Sequence, residues 1–294
     1  MKRFSSRFKA ECSLLLVSFI WGSTFVLVKE ALNSMAPYTF LGIRFLLAGL
    51  FLVLLTWRHF LGVPFRSIVR GAIIGLALLA GYIFQTVGLL YTSASHAGFI
   101  TGLSVVMVPL FSAVYTKRLP GPWSAVGVLA ATAGLFLLSV TSTFEISLGD
   151  GLVFGCAIAF ALHILLVARY SPKTNPVVLT VVQILFVGLI CMIIGLSFEP
   201  RPVIDAPVIQ ALAITSIPAT ALAFLIQNAV QRYTTATRTA MILITEPVFA
   251  AAFAYMWVGE TQTLRALIGC CLIVFGMIFS EIRFGPRGGS TPQT

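Results

Sequence analysis

Charge is what this sequence lacks most. Only 10% of its 294 residues are Asp, Glu, Lys or Arg, against about 25% in soluble domains. Nine acidic residues serve the whole chain, and they stand singly, which speaks against the clustered carboxylates of a metal-dependent or hydrolytic centre. Histidine is reduced to three residues and cysteine to five. Cys12, Cys156, Cys191, Cys270 and Cys271 all lie in apolar segments, odd in number and without metal spacing, so they read as small hydrophobes rather than a disulfide framework or ligand set. The loop pattern GxxxxGK[ST] does not occur, which excludes ATP hydrolysis within the chain. The 19 Lys and Arg are scattered in short connectors and make no continuous basic face, which speaks against nucleic acid as a partner. Neither a metal nor a cofactor is expected.

Apolar sequence fills the space that charge leaves. Hydrophobic residues make up 59% of the chain and the mean hydropathy is +1.01. Stretches of roughly 20 apolar residues, enough to cross about 30 Å of hydrocarbon as a helix, recur from end to end. Splitting at Pro, Gly and charged clusters predicts spans at Cys12–Leu32, Tyr38–Trp57, Val69–Leu90, Ser95–Tyr115 and Trp123–Val140, then Gly151–Ala168, Val177–Phe198, Pro207–Asn228, Thr235–Trp257 and Leu264–Ile282. The fold class expected is an all-α membrane protein of ten spans, with the lipid bilayer as its partner. The basic start, Met1 to Ala10, is how a secretory signal begins, but the apolar run continues past Trp21 without a small-residue cleavage site. A retained first span is therefore expected.

Basic residues test that count. Lys2, Arg3, Arg7, Lys9, Arg58, Arg66, Arg70, Lys117, Arg118, Arg169, Lys173, Arg232, Arg238, Arg283 and Arg287 fall in the termini and even connectors, against Lys29, Arg201 and Arg265 on the other side. Fifteen against three predicts both termini in the cytoplasm, which in a bacterium means a multi-pass protein of the inner membrane.

An internal repeat is visible as well. At an offset of 139, Trp21 aligns with Phe160, Pro37 with Pro176, Arg44 with Gln183 and Gly49 with Gly188. At 142, Gln85 meets Gln227, Tyr91-Thr92 meets Tyr233-Thr234, Ala94 meets Ala236, Gly127 meets Gly269 and Gly134 meets Gly276. Two halves of five spans each enter the membrane from opposite sides, the inverted-repeat plan of alternating-access carriers, with a binding site near the midplane. The expected organisation is a cytoplasmic segment 1–11, five-helix repeats at 12–140 and 150–283, and a flexible tail at 284–294.

Four stretches carry a family resemblance over roughly residues 12–283. These are Phe19-Ile20-Trp21-Gly22-Ser23-Thr24-Phe25, Gly88-Leu89-Leu90-Tyr91-Thr92-Ser93-Ala94-Ser95, Thr245-Glu246-Pro247-Val248-Phe249-Ala250-Ala251, and Gly259-Glu260. The sequence resembles the drug/metabolite transporter superfamily in its ten-span EamA-type branch. It departs from the pattern at Lys117-Arg118, where the first half lacks the glutamate of the second. The resemblance implies a transporter of amino acids, other metabolites or drugs, often an exporter. A homodimer is compatible with it.

Within the spans a few polar residues stand out. Glu246 lies near the bilayer centre, where an acid costs on the order of 3 kcal/mol unless protonated, paired or hydrated. It reads either as a substrate or proton site or as a structural carboxylate bonding helix backbone freed by Pro247. Arg44, about 9 Å below a span end, either snorkels to lipid headgroups, faces the cavity to bind a substrate anion, or pairs with Glu246. Trp21, beside Gly22, Ser23 and Thr24, is a cavity wall or a core filler. Tyr82, Gln85, Thr101, Ser104, Gln183 and Gln227 divide between lining the pathway and joining helices. His163 relays protons or makes a helix-to-helix hydrogen bond. The mixed set suits an amino acid or related amphipathic small molecule, and a membrane enzyme acting on a lipid or lipid-linked substrate is the rival reading.

Overall fold

The structure, a computed structural model, describes residues 2–117, 121–139, 147–253, 255–256 and 263–281. Arg118, Arg283, Arg287, the Gly259-Glu260 pair, the span ends at Val140, Trp257 and Ile282, and the tail from residue 284 lie outside these ranges. The described residues form α-helices with short 3-10 and π turns and contain no strand. Among the described residues, eight helical stretches are long and apolar enough to cross a bilayer: Ser6–Ala31, Pro37–Phe60, Phe65–Gly88, His96–Thr116, Leu148–Lys173, Pro176–Phe198, Ala206–Tyr233 and Ala236–Phe253. The fifth and tenth expected spans coincide with the shorter apolar helices Pro122–Leu138 and Leu264–Ser280.

These helices are predominantly apolar, and only 33–50% of each long window is buried against protein. Side chains such as Phe198 and Val114, 85% and 79% exposed, face outward in a manner that lipid tolerates and water does not.

Several spans are interrupted partway, and local chemistry accounts for the breaks. The first consists of α1 (Lys2–Gly22) and α2 (Thr24–Ala31). Between them Ser23 Oγ donates to Ile20 O at 2.7 Å and Thr24 Oγ1 to Trp21 O at 2.8 Å, the back-bonding that bends helices. Helices α3 (Pro37–Thr56) and α4 (Phe65–Gly88) run unbroken, and then α5 (Ala94–Gly102) gives way to α6 (Ser104–Thr116) at Leu103. Helices α7 (Pro122–Ser139), α8 (Leu148–Tyr170) and α9 (Pro176–Phe198) follow. A π segment, Ile217–Leu222, containing Pro218, joins α10 (Ala206–Ser216) to α11 (Ala223–Val230). Finally, α12 (Ala236–Leu243) and α13 (Glu246–Phe253) meet at Ile244-Thr245, and α14 (Leu264–Glu281) ends the described chain. Pro247 has no N–H to offer Leu243 O four residues back. Ser18 Oγ of α1 approaches that carbonyl at 3.2 Å and Thr245 Oγ1 at 2.9 Å, so a neighbouring helix satisfies what the proline left open.

Close packing rests on small residues. Helix α7 pairs with α14, α3 with α9, and α4 with both α8 and α9. A Cβ placed on Gly127 would stand 2.7 Å from Gly276 O, and one on Gly276 2.5 Å from Gly127 O. Gly134 and Gly269 oppose each other in the same way, at 2.5 and 2.6 Å, so the two helices run antiparallel. Between α3 and α9, Gly49 faces Leu185 while Gly188 faces Leu46, partners related by the same 139-residue offset seen in the sequence.

Polar ties link residues at both ends of the bundle. At the end where α1 begins, Arg7 Nε meets Glu11 at 2.6 Å, and Arg238 Nη1 of α12 lies 3.9 Å from the same carboxylate. At the opposite end, Lys29 Nζ donates to Leu89 O at 3.3 Å and Thr92 O at 2.5 Å, and Thr92 Oγ1 to Asp150 at 2.6 Å. There too Glu199 accepts from the N–H groups of Tyr38 and Thr39 at 2.9 and 2.6 Å, and Ser34 bonds Asp205.

Candidate functional site

A cavity of about 90 Å³ lies between these two ends, room for several waters. The helix breaks border it: Trp21 and Thr24 flank the first, Gly102 and Ser104 the second, Ile244 and Glu246 the third. Of the residues singled out from sequence, the cavity brings together Trp21, Thr24, Arg44, Tyr82, Gln85, Thr101, Ser104, His163, Gln227 and Glu246. Ser23 and Gln183 do not line it. Ser23 is spent on Ile20 O. Gln183 is fully buried between helices, where its Oε1 meets His163 Nε2 at 2.8 Å and its Nε2 has no partner.

Arg44 is 4% exposed and does not snorkel. Its Nε donates to Thr220 Oγ1 at 2.8 Å and its Nη2 to Tyr82 OH at 3.3 Å, and the guanidinium carbon stands 4.9 Å from the centre of the Tyr82 ring. The ring face and two neutral oxygens hold the cation in place, and Nη1 has no hydrogen bond among the described residues. The pairing considered with Glu246 is not formed: among the described residues no carboxylate lies within ion-pair distance of Arg44. Thr220 itself sits within the π segment Ile217–Leu222 and is fully buried.

Glu246 opens α13 and borders the cavity, with no hydrogen bond to its carboxylate from a described residue. The structural role considered for it, bonding backbone freed by Pro247, belongs instead to Ser18, which reaches Leu243 O. Its position is set by Gly22: a Cβ there would lie 2.8 Å from Glu246 O and 3.0 Å from Ala250 N. Only a bare backbone lets α1 approach α13 so closely.

Trp21 Nε1 donates to Ala219 O at 2.7 Å, in the wide π turn, and its ring lies 5.3 Å from that of Phe224. Wide turns of this kind recur at functional sites. Tyr82 forms the centre of an aromatic group, edge-on to Phe45 at 4.8 Å and to Phe160 at 5.4 Å. Gln85 Nε2 donates to Thr101 Oγ1 at 3.2 Å, and Gln227 Nε2 to Gln231 Oε1 at 3.3 Å. Buried Gln227 Oε1 is left unsatisfied. His163 makes a helix-to-helix hydrogen bond, joining α8 to α9 while its ring borders the cavity.

Sequence reasoning missed the apolar wall: Phe25, Val28, Phe160, Phe224 and Ile244, together with Thr86. In a chain this rich in Phe and Ile nothing local marks them. One signal was present, since Phe160 is the repeat partner of Trp21 at an offset of 139.

A bundle that is helical throughout its described residues, with outward-facing apolar side chains around a mixed polar cavity, defines a multi-pass membrane protein. The chain belongs to the EamA-like transporter family, whose profile matches residues 8–140 and again residues 147–281. It is 38% identical over 277 residues to an "Uncharacterized transporter" of Archaeoglobus fulgidus, covering 94% of this chain and 87% of that one. It is 25% identical to the "Uncharacterized transporter YvbV" of Bacillus subtilis, over 90% of each chain. The "Uncharacterized inner membrane transporter YedA" of Escherichia coli matches at 34% over 140 residues, 43% of this chain and 42% of its own. A solved crystal structure shares the fold at a TM-score of 0.80 and 18% identity, covering 94% of this chain and 97% of its own.

Proposed function

We propose that this transporter is a secondary carrier that moves a zwitterionic amphipathic metabolite, an amino acid or close relative, outward across a bacterial inner membrane by alternating access. In this reading the chain has ten spans in two inverted halves, 12–140 and 150–283, with both termini in the cytoplasm. The fifteen-to-three distribution of basic residues supports it, as do the contacts of Gly49 with Leu185 and Gly188 with Leu46, which repeat under the sequence offset.

One observation carries the choice of solute. The cavity presents a carboxylate without a partner among the described residues, on Glu246, and a guanidinium with a spare edge, on Arg44, too far apart to pair with each other. A solute carrying an ammonium and a carboxylate complements both groups, and the aromatic group around Tyr82 and Trp21 accepts its apolar part. Glu246 is also the group that would take up a proton when the amine leaves, which couples transport to the proton gradient.

Counterflow in proteoliposomes tests this reading. Vesicles preloaded with unlabelled amino acids are expected to accumulate the labelled compound, and Glu246→Gln to abolish exchange at an unchanged protein level. Wild-type flux through Glu246→Gln would remove that residue from the mechanism. Downhill leakage without counterflow would indicate a pore in place of a carrier.

A further inference from the structure

At the end of the bundle where α4 begins and α8 ends lies a group of cations that no acid among the described residues neutralises. Arg169 is exposed, and its guanidinium carbon lies 5.6 Å from the ring centre of Tyr115 on α6 and 5.7 Å from that of Tyr170. Arg70 of α4 approaches the same Tyr170 ring at 6.0 Å. It is fixed there by bonds from Nη1 to Lys173 O at 3.1 Å and Thr174 Oγ1 at 3.0 Å. Lys173 is exposed beside it. Among the described residues none of these cations forms an ion pair.

Their setting identifies the ligand. Tyr115 is 73% exposed, and the residues leading away from it along α6, Val114 and Leu110, are 79% and 54% exposed. A basic and tyrosine-lined cluster at the end of an apolar strip occupies the level where lipid headgroups meet acyl chains. Charges serving topology alone need only be on the correct side. Here three helices converge to hold two guanidinium groups around a shared ring, an arrangement suited to a phosphodiester.

We propose that this cluster binds the headgroup of an anionic phospholipid, with Arg169 and Arg70 on the phosphate, Lys173 at the rim, and an acyl chain along Val114 and Leu110. The site is separate from the cavity and does not depend on what the protein transports.

Native mass spectrometry of the full chain in mild detergent tests it, with phosphatidylglycerol and phosphatidylcholine of identical acyl chains as probes. The wild type is expected to hold phosphatidylglycerol at least tenfold more tightly. The double variant Arg70→Gln/Arg169→Gln is expected to lose that preference, at about fivefold for each cation removed. The double variant Arg70→Lys/Arg169→Lys keeps the charge and is expected to retain most of it. Equal retention of the two lipids by the wild type, or an intact preference in the glutamine variant, would overturn the proposal. So would displacement of the lipid by inorganic phosphate alone at matched concentration, which would mark a free-phosphate site. If the glutamine variant does not fold, the comparison of lipids on the wild type and the phosphate competition still decide.

Discussion

Replacing Gly22 by alanine adds one methyl group at the closest approach between α1 and α13. That methyl would lie 2.8 Å from Glu246 O and 2.8 Å from Phe249 Cβ, where ordinary contact begins at 3.4 Å, so the helices must part by about 0.6 Å to accept it. Neither backbone nor Cβ can turn aside as a long side chain would. Overpacking of this kind costs about 1–3 kcal/mol, and because Gly22 is the last residue of α1 little of the about 1 kcal/mol that alanine gains in a helix interior offsets it. The net loss is about 1–3 kcal/mol, equivalent to a fall in Tm of roughly 2–12 °C. Gly151 supplies the control: it lies in α8 with nothing within 4 Å of its added Cβ, and Gly151→Ala is expected to melt at or slightly above the wild type. Thermal unfolding in detergent, followed by loss of the monodisperse chromatographic peak, measures both. Because the displaced group includes the start of α13, Gly22→Ala is also expected to lower counterflow more than its stability loss explains. A Gly22→Ala protein that melts no lower than the wild type would refute this account of the contact.

Three other outcomes follow from named contacts. Arg44 forms no ion pair with Glu246, so adding Glu246→Ala should not rescue the folding or Tm of Arg44→Ala; restoration of folding in the double variant would mean that the two residues form a structural pair. Trp21→Phe removes the donor to Ala219 O and should destabilise by about 1 kcal/mol, read as a fall in Tm, whereas an unchanged Tm would show that the π turn holds its shape without the indole. The Ser34 hydroxyl and the Val208 N–H hold the Asp205 carboxyl below its ordinary range. A depressed folded pKa contributes stability that is complete above the unfolded value and is lost as pH falls through the folded one. Ser34→Ala should therefore diminish the step of acid destabilisation below about pH 4, and superimposable acid melting profiles of variant and wild type would contradict this.

Much of the architecture was legible because lipid imposes a plain rule: apolar stretches of a given length, separated by charge. Glu246, Arg44 and Tyr82 were equally legible as polar exceptions in an apolar background, and all three border the cavity. What sequence did not show was how the spans break. The interruptions at Ser23 and Thr245 depend on hydroxyls that bond either their own helix or a neighbour, and only the packed structure decides which. Nor did it separate Gln183 from Gln227: both are buried amides, but one turns to His163 between helices while the other borders the chamber. Arg44 and Glu246 were close enough in depth to be considered partners, and the side-chain directions that keep them apart are not written in residue spacing.

The seam between α7 and α14 has a consequence for how this chain can change over time. Gly127, Gly134, Gly269 and Gly276 each press on the opposite main chain, with carbonyl oxygens 2.5–2.7 Å from any added Cβ. A clash with a side chain can be relieved by trimming that side chain through a second mutation. A clash with main chain cannot, because every codon specifies the same carbonyl. Second-site suppressors of a substitution at these four positions should therefore be scarce along the facing helix, and drift in this part of the molecule is confined to the surfaces turned toward lipid.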